Sequence, residues 1–299
     1  MITKVAQIRE KVKEKDTRAL AISYAGEDQV LRAAKRIKEE GLADLLLVGD
    51  EERISLDLRK AEMEPEGIEI ISESDPTKIR RRALELVQSG KAHVFVDGRR
   101  TDPKLWGILG EKGFGIRRGV MSYVSLFDSL KEGRLMMFTD TYINNYPDLT
   151  EKVAIVDNAL ELAHLLGAQM PKVAALSALE LVNPAMRSTV EAAVLAKMSQ
   201  RGQFGRVYIE GPLAMDNATS AEAAQHKGIA NPVSGQVDIY LVPDVETGYT
   251  LVQMLYLLGG ARMAGALMGT EFPVVPFIEV DDTKSIYYGI TLAILMSWS

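Results

Sequence analysis

Cysteine is absent from the chain, tryptophan occurs twice and histidine three times. Without a thiol, disulfide frameworks, thiolate nucleophiles, iron–sulfur clusters and cysteine-ligated zinc are excluded from this polypeptide. Any thiol chemistry must come from a substrate. His93, His164 and His226 stand in separate segments, where structural roles fit them better than a three-histidine metal site. No apolar run approaches the roughly 20 residues of a membrane span, which excludes a membrane protein. Residues Met1 to Lys15 mix Lys, Arg and Glu every few positions and lack the apolar core and cleavage site of a secretory signal. They read as a first amphipathic helix of a cytoplasmic protein. There is no basic tract, and a net charge of −6 argues against a nucleic-acid partner, whose backbone is held by clustered Lys and Arg. The GxxxxGK[ST] loop, HExxH, GxSxG and a strand-borne GxGxxG are missing as well, and Gly259, Gly260 and Gly265 have the wrong spacing for a dinucleotide fingerprint.

What is present is an ordinary globular composition, 47% hydrophobic and 25% charged over 299 residues, long enough for two domains at roughly 100–200 residues each. Short runs rich in Val, Ile and Leu predict buried strands at 19–25, 43–49, 69–72, 92–98, 123–128 and 135–140. Helical patterns lie between most of them: Val30, Leu31, Ala34 and Ile37 share one face of 27–40, and 76–90 opens on Pro and closes on Gly. After a long helix over 148–167, further strands are predicted at 172–177, 206–211, 237–243, 261–269 and 272–280. This βαβ rhythm gives an α/β fold of two helix-covered, parallel sheets. A break in both periodicities at Tyr142, Asn144, Asn145, Tyr146 and Pro147 places the hinge near 141–148. The expected domains are residues 1–143 plus 282–299, and residues 144–281, with the apolar last helix at 284–298 returning to the first. No short repeat or low-complexity tract is present.

Open α/β sheets put their ligands beyond strand ends, and four polar segments lie there. In Tyr24-Ala25-Gly26-Glu27-Asp28 a βα turn can present N–H groups to an anion, although the two acidic residues already serve the helix dipole and favour a plain turn. Around Asp140, Asn144 and Asn145, substrate binding and turn formation are about equally well supported. The segment from Glu210 through Gly211, Pro212, Asp216, Asn217 and Thr219 to Ser220 is the richest. Asp216 or Asn217 can cap a helix running to Lys227, but one cap does not need all of these residues, so a polar pocket wall is expected. At Asp281-Asp282-Thr283-Lys284-Ser285, the carboxylates can act as a base or a cation site, or cap the helix that follows.

Long stretches of the chain, namely EDQVLRAAKRIKEEGLADLLLVG, TDTYINNYPDLTEKV, NPAMRSTVEAAVLAKMSQRGQ, EGPLAMDNATSAEAAQHKG and DIYLVPDVETG, resemble the phosphate acetyl/butyryltransferase family, and more closely its phosphate butyryltransferase branch. The resemblance runs nearly end to end. It implies two α/β domains with a cleft between them, an isocitrate/isopropylmalate dehydrogenase-like fold, and a homodimer. It also implies transfer of a short acyl group between coenzyme A and inorganic phosphate, with acyl-CoA or CoA and phosphate or acyl phosphate as partners. Coenzyme A is a substrate, and no metal or other cofactor is required. Such chemistry needs a cradle for phosphate, a group to take the thiol proton and donors for a developing oxyanion.

On the matching positions the resemblance implies catalytic roles for Asp216 and Asp281. Substrate-binding roles fall to Asp140, Asn144, Gly211, Pro212 and Asn217, with Glu279 and Arg117 added from this chain's own sequence. The chain departs from the family pattern at two places. Ile278 and Glu279 stand where the family carries Ser-Arg after the Pro-Val-Val strand, and Gly107 aligns with a second family arginine. A carboxylate in place of a phosphate-binding cation turns attraction into repulsion, about 4 kcal/mol at 4 Å and an effective dielectric near 20, or several powers of ten in rate. Arg99, Arg100, Arg117 and Arg118 can supply substitute cations or be plain surface residues. Two other readings therefore stand beside the first: a ligand-binding homologue that has lost phosphate chemistry, and an acyl-CoA transferase with a different acceptor.

Overall fold

Each short apolar run of the sequence becomes a strand, and most of the amphipathic stretches between them become helices, because a parallel strand buried on both faces needs a crossover helix on each side. The computed structural model describes the chain except for residues 25–26, 112–113, 118, 130–132 and 279–280. In chain order the first elements are α1 (Ala6–Lys13), β1 (Arg18–Ser23), α2 (Asp28–Glu39), β2 (Ala43–Gly49), α3 (Glu51–Lys60), β3 (Ile68–Ser72), α4 (Ile79–Gln88), β4 (Val94–Arg100) and α5 (Pro103–Leu109). Next come β5 (Ser122–Asp128), β6 (Leu135–Thr139), α6 (Leu149–Leu165), β7 (Lys172–Leu176), α7 (Arg187–Gln200), β8 (Tyr208–Leu213), α8 (Met215–Thr219), α9 (Ala221–His226), β9 (Ile239–Leu241) and α10 (Val245–Gln253). The chain ends with β10 (Met263–Met268), β11 (Val274–Phe277) and α11 (Thr283–Met296). Among the described residues, no helix is long and apolar enough to cross a membrane.

The chain divides into two units, Val5–Arg118 with Met263–Ser299, and Met1–Lys4 with Gly119–Arg262. In the first, five strands pair in the order β11-β4-β1-β2-β3, all parallel. Leu20, Ile22, Leu45, Leu47 and Phe95 fill its centre. α2 lays Val30, Leu31, Ala34 and Ile37 onto the core. α11, predicted as the returning last helix, packs on α1, α2 and β10 within this unit. Its cap is a box in which Asp282 accepts from Ser285 N while the Ser285 hydroxyl answers to Asp282 N.

In the second unit the order is β5-β6-β9-β7-β8. β5 and β6 form an antiparallel hairpin, and β6, β9, β7 and β8 run parallel. Phe138 stacks on Tyr240 at 4.7 Å between ring centroids, joining β6 to β9 inside the core. α6 starts in a full capping box of Asp148 and Glu151.

The unit boundaries differ from the expected hinge near 141–148 and from the expected 1–143 and 144–281 domains. β6 pairs with β9, Met137 opposite Ile239 and Thr139 opposite Leu241, so 135–139 is a core strand of the second unit. β11 pairs with β4, Val275 opposite Val96, which brings 274–277 into the first. The Asn-rich stretch that breaks the periodicity is a strand-end loop, not a junction.

Candidate functional site

In the Gly119–Arg262 unit, β6 ends on Thr139, and the carboxylate of the next residue, Asp140, organises the following loop. Its Oδ1 accepts from the backbone N–H groups of Tyr123, Tyr142 and Ile143 at 2.9, 3.1 and 3.2 Å. Its Oδ2 accepts from Asn144 N at 2.9 Å and Asn144 Nδ2 at 2.5 Å, and Asn144 Nδ2 also donates to Met121 O. The residue is buried. Burial pushes its carboxyl up, against the pull of the Tyr123, Tyr142 and Asn144 donors. Two of the expected substrate-binding residues, Asp140 and Asn144, are thus brought together and bonded to each other and to the loop. α10 closes over this loop at Gly248, where a Cβ would lie 3.0 Å from Asp140 O and 2.9 Å from Val242 Cγ2.

The predicted polar wall of the EGPLAMDN stretch separates into distinct tasks. Gly211 lets β8 approach β7 and α7, since a Cβ there would stand 2.8 Å from both Ala175 Cβ and Ala175 O, and Pro212 follows it through a cis peptide bond. The single helix expected to run to Lys227 is two short ones, and the cap belongs to Ser220, whose hydroxyl accepts from Ala223 N, not to Asp216 or Asn217. Asp216 is exposed and paired with Lys227 at 2.9 Å, which holds its carboxyl low. Asn217 is fully buried, and neither polar atom of its side chain has a hydrogen-bond partner. Glu210 is half-buried and its carboxyl is pushed up by burial alone.

Beyond the ends of β7 and β9 lies a cavity of about 500 Å³ bounded by Leu176, Met215 and Leu251 and by the charged residues Lys152, Arg187 and Glu191. Lys152 and Glu191, both buried, meet at 2.6 Å, and Arg187 Nε reaches the other oxygen of Glu191 at 2.6 Å. Nothing in the sequence singles out these three residues together, because Arg187 and Glu191 have the i,i+4 spacing of an ordinary helix pair and Lys152 is 39 positions from Glu191. The available signal is the place of Arg187 and Lys152 in the first turn of helices that each follow a strand.

In the other unit the ends of β1, β4 and β11 carry a connected polar chain. Asp97 accepts from Ser23 Oγ at 2.9 Å and forms an ion pair with Arg80 at 3.0 Å, both residues buried. Burial works against the Arg80 charge, but Asp97 and Asp102 more than offset it. Thr101 Oγ1 donates to Asp97 and accepts from Phe277 N. One residue on, Ile278 N donates to Asp281 Oδ2 at 3.0 Å, and Ser285 Oγ donates to Asp281 Oδ1 at 3.0 Å. Burial pushes the Asp281 carboxyl up to about 7, with nearby Asp282 raising it further and Arg100 lowering it. A carboxyl poised there can take or give a proton at neutral pH. The cap of α11 falls to Asp282 rather than Asp281.

The remaining candidates lie in this same unit. Tyr24 has φ 63° and carries the Arg99 guanidinium 4.1 Å above its ring. Ala25 and Gly26 of that turn lie outside the described residues, as do Arg118 and Glu279. Arg117 sits by the Ile116–Thr270 bridge, its N–H on Gly269 O. A Cβ at Gly107 of α5 would meet nothing within 4 Å. Among the described residues, no group of three His, Asp or Glu side chains is arranged to hold a metal ion.

The phosphate acetyl/butaryl transferase family profile matches residues 4–96 and 78–293. The chain belongs to this family. It is 39% identical over 298 residues to a phosphate butyryltransferase of Clostridium acetobutylicum, covering 99% of each chain. It is 34% identical over 275 residues to a phosphate acetyltransferase of Thermotoga maritima, covering 92% of this chain and 93% of that one. A branched-chain phosphotransacylase from Enterococcus faecalis V583 superposes with TM-score 0.83 at 27% identity, covering 94% of this chain and 99% of the other.

Proposed function

We propose that the chain is a phosphate acyltransferase moving a short acyl group, of butyryl or acetyl type, between coenzyme A and inorganic phosphate. The observation that carries this reading is the 39% identity to a phosphate butyryltransferase across 99% of both chains. In the direction of thioester formation, a CoA thiol loses its proton and its sulfur attacks the acyl carbon of an acyl phosphate. The C–S bond forms as the bond to the phosphate oxygen breaks, and phosphate leaves. A free thiol ionises near 8.5, so the Asp281 carboxyl, at about 7, is matched to receive that proton. Asp216 is retained as a catalytic candidate. Asn144, Gly211, Pro212, Asn217 and Arg117 are substrate-side candidates with Asp140 as the loop anchor. CoA enters as a substrate, with no further cofactor.

A homodimer in the cytoplasm, with the isocitrate/isopropylmalate dehydrogenase-like arrangement, belongs to the same reading. The dimer part is supported by apolar side chains left open on the Gly119–Arg262 unit, where Leu181 is 74% and Val182 54% exposed.

One specific feature favours a second reading, in which phosphate is not the acceptor. Ile278 is buried, and it and Glu279 occupy the positions where the resemblance places Ser-Arg. The test is release of CoA thiol from butyryl-CoA on addition of phosphate, run beside the reverse reaction with acetyl, butyryl and branched acyl phosphates. Turnover is expected. Silence across the panel from folded protein would overturn the phosphate reading. A large gain from Ile278→Ser with Glu279→Arg, or from Gly107→Arg, would then locate the loss in the anion clamp.

A further inference from the structure

Past Val275 the ladder loses its hold on β11. Pro276 has no N–H to give, and the register against β4 shifts between Val275, opposite Val96, and Phe277, opposite Arg100. The strand end is gripped instead by Thr101, the residue after β4. Thr101 N donates to Phe277 O at 2.7 Å, and Phe277 N donates to Thr101 Oγ1 at 2.9 Å, so a two-way clasp closes on Phe277. The Thr101 hydroxyl has a single hydrogen. Since Phe277 N–H occupies a lone pair of that oxygen, the hydrogen goes to Asp97 Oδ2 at 3.3 Å. Asp97 is itself fixed by Arg80 at 3.0 Å and by Ser23 Oγ at 2.9 Å, and all three residues are buried.

The chain leads from this clasp to Asp281. Ile278 N donates to Asp281 Oδ2, and Asp281 N donates back to Ile278 O, both at 3.0 Å. The main chain and the carboxyl of Asp281 are therefore both tied to Ile278, which adjoins the residue that Thr101 grips. The second donor on the carboxyl, Ser285 Oγ, comes from α11 and does not pass through the clasp. The charges acting on Asp281 are Asp282 at the head of α11 and Arg100 on β4, next to Thr101.

We propose that Thr101 is a positioning residue for Asp281, its hydroxyl holding the end of β11 so that Ile278 keeps its N–H on the carboxyl. That Asp281 serves as a base rests on the acyltransferase reading, whereas the clasp itself does not.

The test is Thr101→Val, which keeps the shape of the side chain and removes the hydroxyl, beside Thr101→Ser, which retains it. The titration of Asp281 is followed without substrate by carboxyl-carbon NMR, each protein being compared with its own Asp281→Asn form. The Ile278 N–H favours the charged carboxyl. Its loosening should move the titration up by about one pH unit in Thr101→Val and not in Thr101→Ser. In the CoA assay Thr101→Val should lower kcat about 10- to 100-fold, the cost of misplacing a reacting group, with KM little changed and the acid limb of the pH profile moved up in step. Ser23→Ala is the structural control. It takes a donor from Asp97 but leaves the clasp on Phe277, and should lower the melting temperature without moving the titration. In the natural protein the Phe277 and Ile278 amides should exchange with solvent as slowly as the Phe95 amide in the middle of the sheet, a check that holds even where Thr101→Val does not fold.

No upward shift in Thr101→Val, an equal shift in Ser23→Ala, or Phe277 and Ile278 amides exchanging as fast as those of an open loop would each overturn the proposal. The two readings fail separately. A shifted titration with no turnover in any protein sinks the acyltransferase reading and leaves the clasp. Turnover with an unshifted titration and an unchanged kcat in Thr101→Val sinks the clasp alone.

Discussion

Asp140 and Asp281 are both buried carboxyls just past strand ends, yet they are provided for differently. Asp140 is met by four backbone N–H groups and one amide, so all its acceptor capacity goes into fixing the loop. Asp281 is met by one N–H and one hydroxyl. Burial raises both carboxyls, but only at Asp140 are both oxygens fully engaged by N–H donors, which makes them part of the loop's architecture. Burial alone therefore does not mark a working acid or base. The carboxyl with fewer donors on its oxygens, Asp281, has lone pairs left to exchange a proton with a partner.

The sharpest way to break this comparison is Asp140→Asn. The new NH2 would face the N–H of Asn144 or the three N–H groups on Oδ1, and the expected loss is about 3 kcal/mol or more. A lowered urea midpoint with unchanged m-value would report it. A loss smaller than that of Asp281→Asn would break the donor argument. Asp281→Asn sharpens it through pH. The folded value of about 7 lies above the ordinary 3.8, so the folded state holds this proton longer than the unfolded chain does. Its contribution is complete below about pH 4 and fades as pH rises through 7, by up to about 4 kcal/mol at 1.4 kcal/mol per unit. Unfolding curves from pH 4 to 8 should fall with pH in the natural protein and lose that component in the variant. If Asp281 is the thiol base, CoA-dependent turnover falls about 10²- to 10⁴-fold as well. The smallest effect is expected at Asp216→Asn. This removes an exposed ion pair with Lys227 that water already screens, and the melting temperature should not move within error.

Much of the fold is legible in the sequence because strand periodicity and apolar runs depend on local burial. The predicted 43–49 run is β2 residue for residue, and the other strands differ by a few end positions. The unit boundary is not legible, since the same βαβ rhythm runs through both units and Gly119 is a lone glycine among many others in the chain. The strongest punctuation, Tyr142 to Pro147, belongs to the loop that Asp140 ties down. The site is legible in part for the same reason. Asp281 stands at a predicted strand end, where ligand chemistry is looked for. Lys152, Arg187 and Glu191 lie on three different turns of two helices, and only the folded sheet shows that they share one wall.

The way the two units share the chain sets an order of assembly. Residues 119–262 are continuous, so during synthesis from the N-terminus β5, β6, β7, β8 and β9 all emerge before β11 and α11 exist. The other sheet can pair β1, β2, β3 and β4 early, but β4 has an open edge until β11 arrives, and α2 lacks the apolar cover that α11 gives it. An open parallel edge and an uncovered helix face are the features that draw a nascent chain into wrong partners. The half of the molecule made first is therefore the half finished last, and it is the one in need of protection in the interval.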